Sequence, residues 1–110
     1  MQLTLMFSLL LGLGSAQVAD FAFHSQPNCV VSSNFESAKV GTIGACHVAT
    51  HPFVSIKFES VDSGLLGRGL EGFYSIHEDC SDPVFIPLDA GSCFNTAGGE
   101  NAIGYGIAQQ

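Results

Sequence analysis

Basic residues are scarce in this chain. Three Lys or Arg stand against ten Asp or Glu, and the formal net charge is −7 over 110 residues. A surface of that sign repels a phosphate backbone, which argues against nucleic acid as a partner. It also argues against a membrane-lytic peptide, which relies on Lys and Arg to reach anionic lipid. What the charge does supply is solubility. No C-x-x-C spacing occurs, so the four cysteines do not suggest a zinc site. No G-x-S-x-G occurs either, and neither a serine nor a thiol nucleophile is signalled. Beyond residue 16 no apolar run approaches the roughly 20 residues that span a bilayer, so no membrane insertion is expected.

The one long apolar run lies at the start. Leu3 to Leu13 is interrupted only by Thr4 and Ser8 among its polar types, and it passes through Gly14-Ser15-Ala16 into Gln17. An apolar stretch of about 7–15 residues ending in small side chains reads as a secretory signal peptide. Cleavage after Ala16 is expected, with residues 1–16 as the signal and residues 17–110 as one small secreted, extracellular domain. A core is feasible at that size, and disulfides commonly supplement it.

The expected domain uses one grammar twice. Phe23-His24-Ser25, Cys29, Gly44-Ala45-Cys46 and the run Phe53 to Phe58 reappear as Phe73-Tyr74-Ser75, Cys80, Gly91-Ser92-Cys93 and Ala102 to Ile107. The offsets are 50 from Phe23 to Phe73, 51 from Cys29 to Cys80, 47 from Cys46 to Cys93 and 49 from Ile56 to Tyr105. Four landmarks in one order indicate a single supersecondary unit used over about 18–60 and again over about 70–108. The glycine-rich stretch Gly64 to Gly69 reads as the connector.

Four cysteines in a secretory context read as two disulfides, with three pairings open. Assigning each bridge to one repeat favours Cys29–Cys46 and Cys80–Cys93. Loops of that size stabilise by roughly 3 kcal/mol each on closure entropy alone.

Strand signals dominate the rest. Val54, Ile56 and Phe58 alternate with Phe53, Ser55 and Lys57, and Ile103, Tyr105 and Ile107 alternate with Gly104 and Gly106. Shorter aromatic runs, Asp20 to Ser25 and Glu71 to Ile76, precede the first cysteine of each repeat. Pro83 and Pro87 confine Val84-Phe85-Ile86 to a short or edge strand. No long helical pattern is present. The expected fold is all-β: a compact sandwich of two Greek-key-like repeats, seven or eight short strands in two packed sheets. Gly104 and Gly106 in the last strand are read as close-packing positions.

Gly72-Phe73-Tyr74-Ser75 followed by Asp79-Cys80 resembles the opening motif of the β/γ-crystallin Greek key, with cysteine in place of an aromatic residue. The wider arrangement, with Gly-Ser-Cys and a closing alternating strand, is similar to small secreted cysteine-containing fungal proteins regarded as candidate effectors. The resemblance implies a two-motif sandwich and secretion, and it implies no activity. The first repeat departs from it, with His24 where Tyr is expected.

Few residues suggest chemistry. His47 and His51 lie four apart, but before Pro52 they read as exposed loop histidines rather than metal ligands. Glu78, Asp79 and Asp82 bracket Cys80, and they read as solvated acidic turns in a domain with little room for a groove. Calcium is the sharper alternative, because some β/γ-crystallin-like domains bind it. Asp89 and Ser92 lie in the corresponding loop, and hard oxygen ligands would have to come from them and from backbone carbonyls. Phe53 and Phe94 sit off the core phase, as an interaction patch or as core residues of the facing sheet. The expectation is a secreted, disulfide-stabilised, non-catalytic binding protein without cofactor. Its partner is an extracellular or host protein or a glycan, and a calcium-binding structural protein is the alternative.

Overall fold

The strands form where β-branched and aromatic residues alternate with small or polar ones. A computed structural model describes residues 17–110, so the signal-peptide expectation for residues 1–16 lies outside the described residues. Eight strands follow in chain order: β1 Ala19–His24, β2 Asn34–Val40, β3 His47–Phe53, β4 Ser55–Val61, β5 Leu70–Ser75, β6 Val84–Ile86, β7 Cys93–Asn95 and β8 Ala102–Gln109. Among the described residues the only helical pieces are three-residue 3-10 turns. The strands pair antiparallel in two four-stranded sheets, ordered β2-β1-β4-β7 and β3-β8-β5-β6. The two-sheet all-β sandwich expected from the alternation is the architecture observed.

Each sheet takes three strands from one repeat and one from the other. The third strand of the first repeat, β3, pairs with β8, while its counterpart β7 pairs with β4. Matching backbone bonds mark both crossings. The Gly44 N–H donates to the Ile107 carbonyl at 2.7 Å, and the Gly91 N–H donates to the Phe58 carbonyl at 2.6 Å.

The exchange corrects the disulfide pairing. The bridges are Cys29–Cys93 and Cys46–Cys80, rather than Cys29–Cys46 and Cys80–Cys93. Cys29 follows β1 and Cys93 lies on β7, both in the first sheet. Cys46 abuts β3 and Cys80 follows β5, both in the second. Each bridge thus stays within one sheet and, because the third strands are exchanged, joins the two repeats.

The repeat register also shifts by one residue. β1 and β5 share one burial pattern, in which Ala19 matches Leu70, Phe23 matches Tyr74 and His24 matches Ser75. The ladder agrees, since Phe23 opposes Ile56 and Tyr74 opposes Tyr105. His24 therefore stands at the position of Ser75, not of Tyr74. Both side chains hold the loop that folds back over the sheet. The His24 Nδ1 lies 2.9 Å from the Val30 carbonyl, and the Ser75 hydroxyl donates to the Ser81 carbonyl at 2.5 Å.

The core lies between the sheets. Phe21, Phe23, Ile56 and Phe58 from the first sheet face Phe53, Tyr74, Tyr105 and Ile107 from the second. The rings interlock, with centroids 4.5 Å apart for Phe23 and Tyr105 and 4.8 Å for Phe23 and Phe53. Burying each such side chain contributes roughly 1.5–3 kcal/mol. Phe53 is fully buried, because the alternating run breaks at Val54 into two strands of different sheets. It is a core residue of the facing sheet, and half-buried Phe94 packs against the same core. On the outer face of the second sheet, the Phe73 ring lies where a Cβ on Gly106 would stand, 2.6 Å away.

Candidate functional site at the corner between the sheets

The edge strands β2 and β3 belong to different sheets and run close together at one corner. Glu36 on β2 opposes Phe23, which turns its side chain toward the interior side of the first sheet. The carboxylate crosses the corner, and its Oε1 accepts both the backbone N–H and the hydroxyl of Thr50 on β3, each at 2.9 Å. Thr50 lies in the part of β3 that has no partner on β8, between the pairs at Val48 and Phe53. Glu36 therefore satisfies an edge N–H that the ladder leaves open, which blunts an edge otherwise free to recruit another strand.

Two aromatic contacts flank this tie. His47 opposes Tyr105 in the ladder, and the two rings stack with centroids 5.4 Å apart at 24°. His51 meets Phe35 edge-on at 5.8 Å. Burial raises the Tyr105 phenol above its ordinary range, and the Glu36 charge adds to that shift. The His47 Nε2 is buried and has no hydrogen-bond partner among the described residues. The corner thus combines a carboxylate, a buried phenol, two imidazoles and an exposed Val48 drawn from three strands, β2, β3 and β8. Such an array presents hydrogen-bond acceptors and donors beside aromatic faces.

The histidines lie on a strand rather than in a loop, because β3 continues through Pro52 at a sheet edge, where its missing N–H costs no ladder bond. The structure does not bring His47 and His51 together, since one stacks on Tyr105 and the other on Phe35. Asp89 and Ser92 share a turn, closed by the Ser92 N–H donating to the Asp89 carbonyl at 3.1 Å. Among the described residues, no group of three His, Cys, Asp or Glu side chains is placed to hold a metal ion. Of the acidic cluster, Asp79 caps its own turn by accepting the Ser81 N–H at 3.0 Å, and hydrogen bonding to Ser81, its side chain first and its N–H second, lowers the carboxyl below the usual range. Glu78, Asp79 and Asp82 are all exposed.

Glu36, Thr50 and Tyr105 were not identifiable as a group from their spacing. They come together only because β3 leaves its own repeat for the other sheet. A glutamate at an inward-facing position of an alternating strand is the one local signal. No helix among the described residues is long and apolar enough to cross a membrane. No family model matches this chain, and no curated protein or solved structure matches it.

Proposed function

We propose that the chain is a secreted, disulfide-stabilised binding protein without catalytic activity, an effector of a fungus that acts on a host or competing organism. Its partner is an extracellular or host protein or a glycan, and the corner formed by Phe35, Glu36, His47, Thr50 and His51, with Tyr105 buried beneath it, is the surface that meets it. The observation that carries the reading is the pair of bridges, Cys29–Cys93 and Cys46–Cys80, each of which joins the two repeats. Two disulfides in a chain this small are consistent with an extracellular location. They also hold both exchanged strands, so the corner is presented on a rigid frame, which lowers the ordering cost of binding.

The test uses labelled protein comprising residues 17–110, applied to intact cells of candidate hosts and to an array of glycans. Saturable binding that falls in Glu36→Ala and His51→Ala is expected. Neither side chain belongs to the central core, so both variants should keep the wild-type unfolding free energy within about 1 kcal/mol. Absence of saturable binding across hosts and glycans counts against the reading. Turnover of a glycoside, ester or peptide substrate by the wild-type protein would replace it with an enzymatic one.

A further inference from the structure

The first described residues are held in an unusual way. The Val18 N–H donates to the Asp62 carboxylate at 2.9 Å, and the Asp62 N–H returns a bond to the Val18 carbonyl at 3.0 Å. Gln17 then lies across two glycines. Its backbone carbonyl stands 3.0 Å from where a Cβ on Gly41 would be. Its side chain rests directly on Gly64, where an added Cβ would meet Gln17 Cγ at 2.8 Å and Cδ at 2.5 Å. The Gln17 Oε1 accepts the Gly64 N–H at 3.1 Å. Among the described residues the Nε2 of the same amide has no hydrogen-bond partner. Among the described residues, the fold therefore binds the amide oxygen and makes no hydrogen bond to the amide nitrogen.

We propose that Gln17 is a modification site. After cleavage at Ala16 it closes to pyroglutamate, and the lactam carbonyl remains seated on Gly64. The proposal rests on the secretory reading above, which makes Gln17 the first residue of the mature chain. In the closure the α-amino nitrogen attacks Cδ, so an N–Cδ bond forms and the Cδ–Nε2 bond breaks. Nε2 leaves as ammonia, carrying the proton that the amine gives up. No oxidant or co-reactant is needed. The oxygen held by Gly64 is the one the lactam keeps, and the nitrogen it leaves unbound is the one that departs. Closure also removes the terminal ammonium and its hydration, so the neutral ring can lie against the chain at Gly41 and Gly64. The consequence is an N-terminus that is blocked chemically and also docked onto the fold.

The experiment has two arms on protein secreted from the full precursor. Intact mass and the N-terminal peptide should show a chain that starts at residue 17, with two disulfides and one ammonia fewer than the unmodified sequence. The folded protein is then treated with a pyroglutamyl aminopeptidase, beside reduced and unfolded protein and beside Gly64→Ala. The added methyl meets only the flexible end of Gln17, so the variant should fold while its terminus is displaced. Folded wild-type protein should resist, and Gly64→Ala should be trimmed about tenfold faster, the factor expected when one net hydrogen bond holds the end down. A chain that keeps Met1, or starts elsewhere, overturns the secretory reading. A start at Gln17 with its amide intact overturns this proposal alone. Trimming of folded wild-type protein as fast as unfolded protein, or as fast as Gly64→Ala, overturns the seating.

Discussion

Phe58 and Gly72 meet across the sandwich. The ring of Phe58, on the first sheet, ends 2.6 Å from where a Cβ on Gly72, on the second sheet, would stand. Glycine at this inward-facing position is what lets a full aromatic ring bridge the sheets. Gly72→Ala should destabilise the fold by about 1–3 kcal/mol through overpacking, because Phe58 is fully buried and its ring has nowhere to retreat. Denaturant unfolding measures this. Phe58→Leu in the same chain should recover part of the loss, and strictly additive effects would show that the two residues are not in contact.

A second expectation concerns the bridges. A non-reducing digest should yield Cys29 joined to Cys93 and Cys46 joined to Cys80, at sequence separations of 64 and 34. These loops are longer than those within each repeat, so loop-closure entropy raises the stabilisation to about 4 kcal/mol per bridge. Replacing Cys46 and Cys80 together by serine should cost an amount of that order, read from the urea midpoint. Peptides confined to one repeat would contradict the exchange of β3 and β7.

Much of the fold is legible in the chain because strand periodicity is local. The alternation of Ile56 with Phe58 and of Tyr105 with Ile107 reports which face is buried, whichever strand lies alongside. The prolines around Val84–Ile86 likewise mark a three-residue edge strand, as β6 proves to be. What is not local is not legible. The exchange of β3 and β7 is a choice of partner, and no residue within either strand encodes it, so the disulfides followed the sheets rather than the repeats. The misplacement of His24 has a different cause. Phe-His-Ser and Phe-Tyr-Ser look alike, yet aligning them shifts β1 by one residue and turns every side chain to the wrong face. The corner was illegible for the first reason, since Glu36 and Thr50 meet only through the exchange.

Tyr105 should give the protein an alkaline limb. Burial, with the Glu36 charge second, raises its folded-state pKa above the unfolded value of about 10. In the interval between the two values the folded state holds a proton that the unfolded state has lost, so stability falls as pH rises. The stabilisation is fully present below about pH 10 and is lost as pH climbs through the folded-state pKa. Denaturant midpoints across the alkaline range should decline in the wild type and decline less in Tyr105→Phe. Equal slopes in the two proteins would show that another group controls the alkaline limb.

The strand exchange also decides how the two repeats unfold. If each repeat formed its own sheet, one sheet could open while the other stayed folded. Here the first sheet is completed by β7 and the second by β3, and each is bridged to its guest strand by a disulfide. Unfolding either repeat strips a strand from the other sheet and exposes the shared core. Ile56 and Ile107, one on each sheet, are both fully buried in that core. Truncating either to alanine removes its buried methyl groups and leaves a cavity, at a cost of about 2–5 kcal/mol. That is a large part of the ~5–15 kcal/mol that holds a small domain. Ile56→Ala and Ile107→Ala should therefore each lower one common transition, seen identically by tyrosine fluorescence and far-ultraviolet circular dichroism. Two transitions, each moved by only one of the substitutions, would mean that the repeats fold independently, and the exchanged sandwich would not stand.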